Sequence, residues 1–288
     1  MKPELECASC LLTWLIERIA VLGREGDCYP MVRAVSGMIR DGFTPTANVG
    51  ALANRSIEIA DELIAGAAEH FEGIKSGNNQ AALRALPAAK DFIESAGTPE
   101  EALERACALA TAGNVSPIGV PSGAFRFEEV DHFLEGTRPL PAFRGDVHGA
   151  VRRASHILYA TDNSGEIGFD GLLVSRLKEM GKRITLVVKE GPFFEDATRE
   201  DVDFFGLDGV VDQVCTIPGF LVAEETLPPL KQALEECDLV ISKGTGNFES
   251  LAGETQGRST IFMLKAKCRP ISRVLGVDIG EFAVWLEG

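Results

Sequence analysis

After about residue 150 the chain changes its period, and this limits the folds open to it more than any other feature. Short apolar runs recur at 156–159, 184–188, 209–215, 239–241, 261–264 and 273–277, separated by helical or loop segments such as 172–180 and 223–236. Alternation of strand and helix predicts a parallel sheet covered by helices on both faces. Upstream, residues 11–22, 45–70, 79–95 and 99–112 place apolar side chains at helical spacing, with no comparable β-branched alternation. Thr98-Pro99-Glu100-Glu101 adds a start signal: a cap residue, then Pro at the first helical position with acids in the first turn. Gly, Pro and Ser cluster at 113–123, and Thr137-Arg138-Pro139-Leu140-Pro141 breaks the pattern again. The expected organisation is a mainly helical N-terminal domain over residues 1–150 and an α/β domain over 151–288.

Composition narrows the function classes. The net charge is −15, from 28 Lys and Arg against 43 Asp and Glu, which argues against sequence-independent binding to nucleic acid or to an anionic membrane. An anionic ligand would need a local positive feature, and a bound cation would serve. No window reaches the roughly 18 consecutive apolar residues of a membrane span. The opening Met1-Lys2-Pro3-Glu4-Leu5-Glu6 lacks the basic-then-apolar order of a signal peptide, so a cytoplasmic location is expected. Seven cysteines, an odd number without framework spacing, read as reduced thiols. Cys7-Ala8-Ser9-Cys10 supplies half of a zinc site, with Cys28 as a third ligand if the fold brings it close; packing and redox roles are the alternatives.

The chemistry-bearing residues follow strands. Residues 155–161 read as a buried strand, followed by Asp162-Asn163-Ser164-Gly165-Glu166 and a helical pattern over 167–180. Ligands of open α/β sheets collect outside the carboxyl ends of the strands. There Asp162 and Asn163 offer hard oxygens to a divalent cation, while Ser164, Gly165 and the helix start offer N–H groups to an anion. An ordinary Asx turn has the same composition. After the next strand, Glu195 and Asp196 lie on the same side of the sheet; Asp196 can complete a metal site or cap the helix that Thr198-x-x-Asp201 announces. Lys243-Gly244-Thr245-Gly246-Asn247 combines a cation with close backbone approach, or is a Gly-rich turn. It matches neither a dinucleotide fingerprint nor a P-loop. Lys265 and Lys267, two apart in a strand-like run, point to one face; they read as edge protection, with Lys267 as an anion candidate.

Four blocks then carry a resemblance: D-N-S-G-E-I-G-F-D from Asp162 to Asp170, G-P-F-F-E-D-A-T from Gly191 to Thr198, K-G-T-G-N-F-E-S from Lys243 to Ser250, and L-K-A-K-C ending at Cys268. In this order they resemble the damage-control phosphatase family, long filed as domain of unknown function 89. Cys7-x-x-Cys10 and Ala112-Gly113-Asn114 resemble its stand-alone prokaryotic subgroup. The resemblance implies a metal-dependent phosphatase of small phosphorylated metabolites, with a helical N-terminal domain on a Rossmann-like α/β/α core. It implies a Mg²⁺, Mn²⁺, Co²⁺ or Ni²⁺ ion on Asp162, Asn163 and Asp196, with Lys243 on the phosphate. Asn114, Ser164, Gly165, Glu166, Gly244, Asn247 and Lys267 are the remaining candidates for the substrate. Two positions depart from the family pattern: Glu195 stands where Asn is common, and Pro117 where an Asp usually follows Asn114.

On this reading the cation polarises a phosphoryl oxygen, and either a water on it or the Asp162 carboxylate attacks phosphorus. Glu166 and Glu195 are proton-transfer candidates, and Glu166 is equally a helix cap. Two other classes compete: an S-adenosylmethionine-dependent carboxyl methyltransferase, and a non-catalytic protein that binds metal or phosphometabolite.

Overall fold

The computed structural model describes residues 1–20, 22, 25–63, 67–115, 126–255 and 257–288. Pro117 lies outside the described residues. Helices α1 (Leu5–Ala20), α2 (Glu25–Gly42), α3 (Val49–Leu63), α4 (Ala67–Glu94), α5 (Pro99–Ala112) and α6 (Glu128–Leu134) come first. Then follow β1 (Ala142–Arg144), α7 (Val147–Arg153), β2 (His156–Ala160), α8 (Glu166–Glu179), β3 (Arg183–Lys189), α9 (Arg199–Phe204) and β4 (Gln213–Ile217). The chain closes with α10 (Leu230–Glu236), β5 (Leu239–Lys243), α11 (Gly244–Leu251), β6 (Ser259–Lys265), α12 (Arg269–Leu275) and β7 (Phe282–Glu287).

The strands form one sheet in the order β1-β7-β6-β5-β2-β3-β4, parallel except where β7 pairs antiparallel with β6. The chain moves outward from β2 through β3 to β4, then returns to β2's other side with β5 and β6. The order therefore reverses between β2 and β5, and the crevice outside their carboxyl ends is the switch point where such sheets bind ligands. Asp238 fixes this pair at its other end, its carboxylate accepting the amides of Ser155 (2.7 Å) and His156 (2.9 Å). Every residue of β2 and β5 is buried, as strands covered on both faces must be.

The N-terminal helices bury apolar stripes in two ways. Helices α4 and α5 join α8 and one face of the sheet in a shared core that includes Ala82, Leu109, Phe169, Ile157 and Ile184. Leu15, Ile19, Met31, Val35, Ile57 and Phe71 form another cluster, closed by Phe193, Phe194 and Phe220 from loops after β3 and β4. This second cluster seats α1 over the carboxyl end of the sheet.

The start signal of α5 is realised: Thr98 accepts the Glu101 amide, with Pro99 in the first turn. So is the Thr198–Asp201 capping box that starts α9, and Asp196 is therefore not the cap. Other expectations change. The run at 273–277 is no strand but the end of α12, which Pro270 opens and Gly276, at φ +66°, closes in the left-handed region. The strand expected at 209–215 begins at Gln213. Strands β1 and β7 and helix α2 lie where no element was expected; α2 holds Pro30 in its interior together with Gly26 and Gly37. Lys265 and Lys267 do not share a strand face at a sheet edge, because β6 lies between β7 and β5 and ends at Lys265. Lys265 pairs with Glu129 at 2.8 Å. Among the described residues no helix is long and apolar enough to cross a membrane.

Candidate active site

Two loops meet at the switch point. After β2, the Asp162 carbonyl accepts the Ala197 amide at 2.8 Å, and the Ser164 amide reaches the Glu195 carbonyl at 2.8 Å. Asn163 and Asp196 form an isolated antiparallel bridge between them. These backbone bonds bring Asp162, Asn163 and Asp196 to one cavity of about 560 Å³, whose other walls are Trp14, Glu17, Arg18, Phe220, Thr245, Gly246 and Lys267.

The donor set fits a hard divalent cation. Asn163 Nδ2 donates to Asp162 Oδ2 (3.0 Å) and Glu166 Oε2 (2.9 Å), which commits the amide nitrogen and leaves its oxygen without a donor among the described residues. Asp162 uses only Oδ2, which also accepts from Asn114 Nδ2 at 2.7 Å. Asp196 Oδ2 is buried without a hydrogen bond and faces Lys189 Nζ at 3.3 Å. Buried oxygens lacking donors are costly unless something positive meets them. Burial, then the neighbouring Glu166 charge, pushes the Asp162 carboxyl up to about 6, against the pull of Lys267 and Lys189. Burial likewise lifts Asp196 well above the usual carboxylate range, with Lys189 opposing and Asp162 and Glu195 reinforcing. Among the described residues no three His, Cys, Asp or Glu side chains gather into a cage. Two carboxylates and an amide instead suit an ion that keeps waters and takes oxygens from a phosphate.

Lys243 is not where its expected role requires. Its side chain is fully buried, and Nζ donates to Ala110 O (2.8 Å), Glu166 Oε1 (2.5 Å) and Asp170 Oδ1 (2.6 Å). An ammonium has three donors, so none remains for a phosphate. Burial works against its charge, but Asp170 and Glu166 outweigh that and hold its pKa above the ordinary lysine value. Lys243 thus sits beneath the site and neutralises Glu166, whose carboxylate also receives Asn114 Nδ2 and Asn163.

The amides of the β2–α8 turn are committed as well. Those of Ser164, Gly165 and Glu166 donate to Glu195 O, Asn79 Oδ1 (2.6 Å) and Ser164 O, so this turn does not present them to an anion. Asn78 Nδ2 reaches Ser164 Oγ at 3.3 Å, and Asn79 Nδ2 reaches Asp201 Oδ1 at 2.6 Å. Helix α4 therefore ties down the turn after β2 and the first turn of α9, a role for Asn78 and Asn79 that no motif announced. Asn114 is fully buried behind Asp162 rather than in the cavity wall. Asn247 is also structural: Nδ2 donates to Thr161 O (2.9 Å) and Lys243 O (3.0 Å), and Oδ1 accepts the Leu221 amide. Gly244, at φ +78°, lies against Asp162.

The cations that do line the cavity are Lys267 and Arg18. Arg18 donates to Glu195 Oε1 at 2.8 Å and lies over Trp14, 4.6 Å from the ring centroid. Sequence reasoning missed Arg18 because α1 is distant in the chain from every motif. Thr245 and Gly246 bring the first turn of α11 to the wall, where the leading amides of a helix have no α-helical acceptor within it. A second cavity of about 450 Å³ shares Trp14, Phe220, Thr245, Gly246 and Lys267 with the first and is lined by Cys7, Cys10 and Cys268. Burial raises the pKa of all three thiols.

A family model for the damage-control phosphatase ARMT1-like domain matches residues 5–282. The chain is 31% identical over 286 residues, 98% of each chain, to an Archaeoglobus fulgidus protein named damage-control phosphatase. It is 35% identical over 185 residues, 62% of each chain, to a damage-control phosphatase of Pyrococcus horikoshii. A crystal structure of a DUF89 family protein from Pyrococcus horikoshii matches the fold with a TM-score of 0.80 at 24% identity, covering 99% of this chain and 98% of that one.

Proposed function

This chain belongs to the damage-control phosphatase ARMT1-like family, and on that premise we propose that it hydrolyses the monoester of a small phosphorylated metabolite with a divalent cation held by Asp162, Asn163 and Asp196. One observation carries the reading: the loops after β2 and β3 bring the side chains of Asp162, Asn163 and Asp196 to one cavity, in whose wall Lys267 also stands. When bound there, Mg²⁺, Mn²⁺, Co²⁺ or Ni²⁺ would polarise a phosphoryl oxygen and offset the acidic surroundings. The relatives' name extends the proposal to damaged forms of such esters.

The chain's own groups supply the rest. Lys267 meets the non-ester oxygens as a point charge, without bidentate geometry. The Thr245 and Gly246 amides add donors aimed where negative charge grows, at the start of a helix whose dipole favours an anion. Asp162 lines the cavity together with Asp196 and Asn163, and its charge is committed to the cation that the three would hold. Glu166 holds the Asn163 amide so that its oxygen is turned away from the protein's own donors. Asn114 steadies Asp162 from behind. Lys243 pairs with Glu166 beneath the site at 2.5 Å.

The test is a phosphate-release screen of sugar phosphates, nucleotides and phosphopantetheine-like esters, each with Mg²⁺, Mn²⁺, Co²⁺ or Ni²⁺ and with a chelator. Turnover is expected only with metal and is expected to vanish in Asp162→Ala. Full activity of Asp162→Ala, or turnover indifferent to chelation, would overturn the reading.

A further inference from the structure

The acids around the cavity are met in part by a cation that lies outside the four sequence blocks. Asp162, Asp196 and Glu17 line it, and Glu195 is fully buried beside Asp196. Against them stand Lys189, which is spent on Asp196, and Lys267. Arg18 is the remaining cation in the wall. Glu195 accepts from Arg18 Nη2 at 2.8 Å. The guanidinium is further fixed 4.6 Å from the Trp14 ring centroid and 5.5 Å from that of Phe194. Trp14 and Phe194 are themselves locked edge to face at 5.6 Å. Few rotamers survive such restraint, so little order is lost when the group binds something else.

Among the described residues this fixed group makes one hydrogen bond, through Nη2, although an arginine carries five N–H donors. Arg18 Nε is buried without an acceptor among the described residues. A buried N–H with no partner is unfavourable, and in native proteins it usually marks a place where water, an ion or a ligand completes the bond. The planar fork of Arg matches a tetrahedral oxyanion through two parallel bonds.

We propose that Arg18 is a second phosphate-binding residue, delivered by α1 and pre-set by Glu195, which contacts the non-ester oxygens across the cavity from Lys267. This rests on the phosphatase reading above. Glu195 supplies the anchoring carboxylate, which holds a guanidinium more firmly than an amide would. Glu195 is on this account a positioning residue and Arg18 the substrate contact.

Inorganic phosphate is the probe. Its binding to the Mn²⁺-loaded protein is measured by calorimetry, beside Mn²⁺ binding without phosphate, in wild type, Arg18→Ala and Arg18→Lys. Arg18→Ala is expected to weaken phosphate about 10- to 100-fold, the loss that goes with hydrogen bonds to a charged group. Arg18→Lys, which keeps charge and loses the fork, should fall between. Mn²⁺ affinity should stay within about threefold of wild type, since Arg18 touches Glu195 and no proposed ligand. If Arg18→Ala does not fold, Arg18→Lys decides: wild-type phosphate affinity in a folded Arg18→Lys overturns the proposal. So does wild-type phosphate affinity in a folded Arg18→Ala, or a loss confined to Mn²⁺ binding, and each of these leaves the phosphatase reading standing if turnover persists. A wild-type protein that binds no phosphate and releases none overturns both.

Discussion

A Cβ added to Gly244 would fall 1.9 Å from Asp162 Oδ2 and 2.3 Å from its Cγ. The K-G motif therefore approaches the D-N motif through its glycine: Gly244 permits β5 and α11 to close on the carboxylate, while Lys243 beside it turns into the core. Gly244 also sits at φ +78°, where a side chain is strained whatever the space.

Gly244→Ala is expected to move Asp162 and lose turnover. The left-handed conformation alone costs an alanine roughly 1–2 kcal/mol, and the overlap with Asp162 adds to it. Thermal melting with a parallel phosphate-release assay checks this; an active Gly244→Ala of unchanged Tm would show that the contact is not tight.

Lys243→Ala should act on stability before chemistry. It strands Glu166 and Asp170, which contact the ammonium at 2.5 and 2.6 Å with no exposure. Removing one partner of a buried ion pair typically costs about 3–5 kcal/mol. Urea unfolding of the variant measures it, and adding Asp170→Asn to the same chain should recover part of the loss. A stable Lys243→Ala that fails only in phosphate binding would return Lys243 to the role the motif first implied.

Lys267→Ala should leave the fold intact and cut kcat/KM by about 10- to 1000-fold, the range for one lost electrostatic donor in a preorganised site. Metal affinity without substrate should hold or rise slightly, because a nearby positive charge repels the cation. Lys265→Ala is the matched control: its partner is Glu129, outside the cavity wall, and its kinetics should follow wild type. Equal kinetic losses in both variants would mean that neither lysine is placed as argued.

Stability of the metal-free protein should fall as pH rises. The folded chain keeps a proton on Asp162 up to about 6, whereas the ordinary carboxyl releases it near 3.8. Folding thus takes up a proton between those values, so the contribution of this group is full below pH 3.8 and is lost as pH rises through 6. The loss amounts to an order of 3 kcal/mol if Asp162 acts alone. Melting curves with chelator between pH 4.5 and 7.5 should show the decline, and Asp162→Asn should make it shallower without abolishing it, because burial raises Asp170, Asp196 and Glu249 as well. A profile identical in Asp162→Asn would mean that Asp162 contributes nothing to it.

What the sequence determined by itself were the parts that depend on neighbours in the chain. Periodicity marked α5 and the buried runs of β2, β3, β5 and β6, and Thr98, Thr198 and Asp201 announced their caps, because apolar spacing and capping act within a few residues. Motif order likewise brought out Asp162, Asn163, Asp196 and Lys267. Tertiary structure decided which charged group faces the cavity. Lys243 ends β5 and Lys267 lies just past the end of β6, yet Lys243 points inward to Asp170 and Glu166 while Lys267 stands in the wall. That difference is set by which acceptors the packing of α5 and α8 places beneath β5. The same holds for Arg18, Asn78 and Asn79, which reach the site from helices more than 80 residues upstream of Asp162. A lysine's local sequence gives its charge and reach; the direction it takes depends on the buried carboxylates it must neutralise, and these come together only when the chain is folded.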